Sequence, residues 1–318
     1  MLLQRRCTRL IWFKQHEMPQ AAASGKGQPA RQGFGRQLKM ELIDTHVHVI
    51  DRSRLAYPWL ANVPALDRDH SFDAWQAEAK HCGITGGLHM EVDVAEADIE
   101  DETGMVEELA ARPGSILKGA ISACRPEDSG FPVFLERALA RPSVKGFRRV
   151  LHVVPDEVST RSLFRENVRR LSGTGRPFDL CIRAKQLPLA IELVESAPDV
   201  QFVLDHCGNP GIRDGEFQPW AGHIHTLSRR PNVAVKISGI SAPDAPAGWS
   251  VEDLAPYVSH CLEAFGLDRA VWGGDWPVVT LGSSLSTWVA ATQALVSGIS
   301  ADEKTQLFSA NAKRIWQI

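Results

Sequence analysis

The 318-residue sequence contains no Cys-x-x-Cys pair. Its six cysteines stand far apart, which excludes a zinc ribbon and the disulfide framework of a small secreted domain. Cys124, Cys181 and Cys207 lie in or beside apolar runs and read as buried thiols, a usage that fits a reducing cytoplasm. No apolar run nears the roughly 18 residues that cross a bilayer as a helix, so a membrane span is not expected. No Gly-x-Gly-x-x-Gly follows a strand, and neither a P-loop nor a Gly-x-Ser-x-Gly elbow occurs. Dinucleotide binding and the α/β-hydrolase type of nucleophile are thereby unsupported. A large excess of either charge is missing as well, with 35 Lys and Arg against 38 Asp and Glu. Eight of those bases fall in the first forty residues beside a single acid, Glu17. The rest of the chain is therefore acidic and offers no electrostatic footprint for nucleic acid.

What is present divides into two parts. Residues 1–39 are Arg-containing, rich in Gly, Gln and Ser and without sustained periodicity, which predicts a disordered basic extension. The apolar stretch Leu10–Phe13 is too short for a signal-peptide core, although an acid-poor, Arg-bearing start is also the composition of a mitochondrial presequence. Met40 stands just before the first good strand, which favours a working protein that starts there. Residues 40–318 then read as one domain. Strand-like runs at 42–49, 86–91, 117–122, 144–151, 178–182, 201–206, 233–238 and 270–275 alternate with helical spacing at 72–82, 103–111, 131–140, 160–171, 188–196, 217–228 and 251–265. Two further helices are expected at 284–297 and 301–313. Eight strands with a helix in each gap predict an α/β fold of the (β/α)8 TIM-barrel kind; a doubly wound open sheet is the second choice.

Candidate chemistry collects at the ends of these strands. Alternation along the first strand puts Asp44, His46 and His48 on one face, toward the barrel interior, and Ile43, Thr45 and Val47 on the other, toward the helices. Two imidazoles at i and i+2 can grip one ion or one substrate group. His223 and His225 repeat the spacing inside a helical pattern, where their rings diverge, and read as solvated helix residues. His206 and Asp275 end the sixth and eighth strands, His89 and Glu91 share a face of the second, and Arg148 and His152 share one of the fourth. A lone buried Asp or Arg is most often a structural ion-pair partner. The group at matching carboxyl ends, where barrel sites are built, carries the inference.

The runs IDTHVHVID and YPWL, then VKGFRRVLH, VLDHCGNP, VKISG, GGDWPV and a closing NAKRI, give a specific resemblance over about residues 41–316. The chain resembles the amidohydrolase-related sugar-lactonase family, which includes L-fuconolactonases and L-rhamnonolactonases and is related to 2-pyrone-4,6-dicarboxylate and sulfomuconolactone lactonases. The resemblance implies an amidohydrolase-like barrel that hydrolyses a small-molecule lactone. A related decarboxylase branch shares the His-x-His start, but its eighth-strand motif usually reads Gly-Thr-Asp-Tyr-Pro, against Gly-Gly-Asp-Trp-Pro here. Nonoxidative decarboxylation, or hydrolysis of another ester, is the alternative. The chain departs from the lactonase pattern at His89 and His152, where Gln is usual, and at Gly274, where Ser is usual.

The resemblance also implies roles. The fifth strand, FDLCIR, lacks the His of metal-dependent amidohydrolases, and Lys145 has the wrong parity to bridge two ions. At most one divalent ion, zinc or manganese, is expected, held by His46, His48, Glu91 and Asp275. Relatives work with and without a metal. Asp275 is the expected general base, and His206 with Arg148 or the ion the expected oxyanion partner. His89 and His152 are expected to contact substrate. Tyr57, Trp59 and Trp276 are expected pocket walls, with plain packing under a loop as the alternative for each. Neither a nucleic acid nor a membrane is an expected partner, and the oligomeric state is not legible.

Overall fold

The computed structural model describes residues 40–242 and 245–318, and the extension expected over 1–39 lies outside them. Eight parallel strands form one sheet in sequential order: β1 (Ile43–Val47), β2 (Gly86–Met90), β3 (Leu117–Ala123), β4 (Val144–Val150), β5 (Phe178–Cys181), β6 (Phe202–Leu204), β7 (Val233–Ile237) and β8 (Ala270–Trp272). Helices fill the gaps between them, so the chain is a (β/α)8 barrel. Serine caps start several helices: Ser71 accepts from Ala74, while Ser250 with Asp253 and Ser300 with Glu303 form reciprocal capping boxes.

The barrel closes through the loop after β8 rather than through β8 itself. Asp275 N–H donates to the His46 carbonyl (2.8 Å) and His48 N–H to the Trp276 carbonyl (2.7 Å), and Val47 bridges Trp276 in parallel. Thr45 Oγ1 donates to the Trp272 carbonyl at 2.7 Å across the same seam. The lower interior is apolar. Ile43, Leu88, Met90, Ile121, Val203, Ala234 and Val271 pack there against Ala312, Ile315 and Trp316 of the last helix, Asn311–Trp316. That floor forces the polar inward positions to the upper end of the barrel.

Three expectations change in detail. The runs 201–206 and 270–275 leave the sheet after Leu204 and Trp272, because their last residues turn. His206, Cys207 and Asp275 take left-handed backbone angles (φ 54°, 54° and 56°), a conformation that costs an L-residue about 1–2 kcal/mol and ends a strand. The helix expected at 160–171 is two helices, Glu157–Thr160 and Ser162–Arg169, broken by the extended Arg161. The shared face of Asp44, His46 and His48 is also corrected. Ile43 pairs with Gly86 and Asp44 with Gly87, but the next pair is Val47 with His89, three steps on β1 against two on β2. This bulge breaks the alternation. Ile43 points into the barrel and Asp44 out toward the helices, while His46 and His48 still face inward.

Candidate active site

His46, with no exposed surface, is the centre of the upper barrel. Its ring centroid lies 4.9 Å from that of His48 and 4.5 Å from that of His206. Four charged groups surround it. At Nε2 are Asp275 Oδ1 (3.6 Å) and Arg148 Nη1 (3.3 Å); at Nδ1 are Asp205 Oδ1 (3.6 Å) and Lys236 Nζ (3.4 Å). Burial, and then the Lys236 ammonium, hold the imidazole well below its ordinary value, so it is neutral.

His48 shows its tautomer through one contact. Nδ1 lies 2.9 Å from the Met90 carbonyl, which can only accept, so Nδ1 carries the proton. Its Nε2 faces Asp275 Oδ1 at 3.5 Å. His46 Nε2, 3.6 Å from the same oxygen, completes a group of three potential ligand atoms. Two imidazole nitrogens and one carboxylate oxygen are a donor set that one divalent ion takes, and the Met90 carbonyl behind His48 is the outer partner such ligands use. Asp275 is 3% exposed. Among the described residues it has no Lys or Arg partner, only the two imidazoles.

The other expected residues distribute unevenly. Glu91 is drawn to Arg148: Nε donates to Glu91 Oε1 and Nη2 to its carbonyl, both at 2.7 Å. Glu91 Oε2 accepts from Asp93 N–H at 2.7 Å, which leaves this carboxylate outside the converging group. Arg148 also reaches Asp205 Oδ2 at 3.3 Å, so its donors are spent inside the barrel. His206 sits at the mouth, its Nδ1 2.9 Å from Ser238 Oγ. Burial lowers it below its ordinary value, against the raising effect of Asp275. His152 is half-buried, with Nδ1 3.3 Å from Cys181 Sγ, and burial together with the Arg148 charge lowers it to about 4. His89 pairs with Val47 in the strand register, is 1% exposed and does not join the group; burial brings it to about 3.

The three aromatics tie loops together. Tyr57 hydroxyl accepts from Asp51 N–H (3.1 Å), and Trp59 Nε1 donates to the Val92 carbonyl (2.7 Å). Trp276 Nε1 donates to Glu78 Oε2 (3.1 Å), and its ring stands edge-on to His70. Of the second His-x-His pair, His225 is exposed and His223 half-buried, on the helix Trp220–Ser228.

Four participants are not singled out by the sequence pattern: Asp179, Asp205, Lys236 and Ser238. Lys236 Nζ lies 2.6 Å from Asp179 Oδ2 and 2.8 Å from Asp205 Oδ1, all three with no exposed surface. A signal for them exists, since a charge inside an apolar strand run, as in VAVKIS and FDLC, has only the barrel centre to enter. Asp44 also acts unexpectedly. Turned outward, its Oδ1 accepts from His46 N–H (3.0 Å) and Gly274 N–H (2.7 Å), and burial raises it to about 6. A side chain on Gly274 would meet Asp44 Oδ2 at 2.5 Å and Leu285 at 2.7 Å, which accounts for glycine at this point.

Gly239 gives a testable constraint. It has φ +68°, and a Cβ there would fall well inside contact distance of His206 Nδ1. Gly239→Ala is expected to lower unfolding free energy by about 1–3 kcal/mol, from the left-handed backbone and the displaced ring. Urea denaturation checks the first part. Loss of the His206–Ser238 signature in imidazole NMR checks the second.

Comparison with known proteins agrees with this architecture. The family model described as Amidohydrolase matches residues 43–318. An L-fucono-1,5-lactonase of Burkholderia multivorans is 28% identical over 295 residues, covering 87% of this chain and 96% of the relative. A crystal structure of an amidohydrolase from Burkholderia multivorans with bound zinc superimposes with a TM-score of 0.77 at 23% identity, over 87% of this chain and 99% of that one. At that identity the likeness speaks for the fold. An amidohydrolase 2 from Bifidobacterium longum subsp. infantis gives 0.68 at 26% identity, covering 88% and 99%.

Proposed function

The chain belongs to the amidohydrolase family, and from that premise we propose that it hydrolyses a lactone, with Asp275 as general base. The observation that carries this reading is the isolation of Asp275. Arg148 is matched by Glu91, and Lys236 by Asp205 and Asp179, whereas among the described residues Asp275 has no Lys or Arg within ion-pair distance and lies beside the imidazoles of His46 and His48. A buried carboxylate without a fixed cation is the one free to take a proton. The lactonase relative at 28% identity supports the substrate class, and an aldonolactone of the L-fuconolactone kind or a related carboxylated lactone is the proposed substrate.

Each residue has a distinct part in the reaction. Asp275 accepts a proton from water as the oxygen attacks the ring carbonyl. With Ser238 Oγ 2.9 Å from Nδ1, we assign His206 the tautomer in which Ser238 donates and Nε2–H stabilises the developing oxyanion. Collapse of the tetrahedral intermediate breaks the ring C–O bond, and the alkoxide takes the proton that Asp275 holds. Arg148 works at one remove, holding Asp205 and Glu91 in place around His46. His46, His48 and Asp275 would hold a divalent ion, zinc or manganese by donor type. Such an ion supplies a water of lowered pKa and a polarised carbonyl.

Screening aldonolactones and muconolactone-type compounds with a pH indicator, then repeating the active ones in ¹⁸O-water, tests the proposal. One solvent oxygen in the product carboxylate is expected. Unlabelled product, or carbon dioxide released from a carboxylated substrate, would assign the alternative decarboxylase chemistry instead.

A further inference from the structure

Two groups of potential ligands share His46 in the upper barrel. His46, His48 and Asp275 form one, and His46, Asp205 and His206 the other. The second already contains a cation. Lys236 Nζ, reaching up from β7, lies 2.8 Å from Asp205 Oδ1 and 3.4 Å from His46 Nδ1, and Asp179 Oδ2 grips it from the other side at 2.6 Å. The Trp316 ring of the barrel floor lies 5.4 Å from the same nitrogen. The remaining oxygen of Asp205, Oδ2, faces Arg148 Nη1 at 3.3 Å. Both oxygens of Asp205 are thus committed to fixed protein cations.

We infer that the Lys236 ammonium takes the place a second metal ion would occupy, so that the centre accepts no more than one divalent cation. A divalent ion entering the second group would meet two positive charges within a few ångströms, among fully buried groups where charge is weakly screened. The ammonium has the opposite situation, held between the carboxylates of Asp179 (2.6 Å) and Asp205 (2.8 Å). Its geometry is anchored by strand and floor, so the cation is permanent and not exchangeable. The missing histidine on β5 explains why one ligand of a second ion is absent. Lys236 supplies the positive reason that no second ion enters, whether or not the first group binds one.

Manganese binding to the full-length chain tests this, by equilibrium dialysis and electron paramagnetic resonance. The parent should bind at most one equivalent and give no spin-coupled pair. Lys236→Gln leaves Asp205, His206 and His46, with Asp179 below them, around a space that no ammonium fills, and should bind one equivalent more than the parent. Lys236→Arg keeps the charge and should bind no more than the parent. If Lys236→Gln alone does not fold, Asp179→Asn/Lys236→Gln removes one stranded carboxylate and should show the same gain. A spin-coupled manganese pair in the parent, or a folded Gln variant that binds no extra manganese, would overturn the inference.

Discussion

Asp275→Asn is expected to slow turnover by about 10²–10⁴-fold while leaving KM and the melting temperature near those of the parent. The substitution is nearly isosteric. Asn tolerates the left-handed backbone at this position (φ 56°), and the backbone bond from residue 275 to the His46 carbonyl is unaffected. What disappears is the group that accepts the proton of the attacking water. Steady-state kinetics on the lactone found by screening, with a thermal melt alongside, measures both halves. A variant as fast as the parent would show that the proton goes elsewhere.

The largest stability effect is expected at Arg148. The residue is 4% exposed, and its guanidinium joins Glu91, Asp205 and His46 across the barrel. Arg148→Met preserves much of the volume but strands Glu91 in the interior. Breaking one side of a buried ion pair costs about 3–5 kcal/mol, because the remaining charge is left uncompensated. Glu91 would then lack the guanidinium that now holds it. Urea midpoints of variant and parent measure the deficit, and a difference under about 1 kcal/mol would contradict it.

The order of strands was legible because each is a short apolar run separated from the next by helical spacing. Three elements escaped the pattern for local reasons. The bulge in β1 adds one residue between Asp44 and Val47, and no alternation rule announces where an extra residue falls. It turned Asp44 outward and left the two histidines inward. The ends of β6 and β8 were read as strand, although the left-handed angles of His206 and Asp275 already belong to turns. Within the site, His46 and His48 were legible from their shared spacing, and His206 and Asp275 because they close short apolar runs. Asp179 and Lys236 interrupt such runs and pair with each other, a match between β5 and β7 that only tertiary structure brings together. Glu91 and Arg148 were both noticed, yet their mutual attraction was not, since nothing in their spacing of 57 residues indicates it.

The seam between β1 and the loop after β8 has a dynamic consequence. The same few backbone bonds close the cylinder and hold His46, His48 and Asp275 in register. Local opening there would not leave a distorted site inside an intact barrel; it would part the two halves of the site. The amides of His48 and Asp275 are therefore natural reporters of breathing, and their hydrogen-exchange rates should track the fraction of molecules competent to react. Any molecule bridging the imidazoles and the carboxylate acts as a clasp across the opening. Its affinity should reappear as slower exchange at these two amides, with the helices on the far side of the cylinder unchanged.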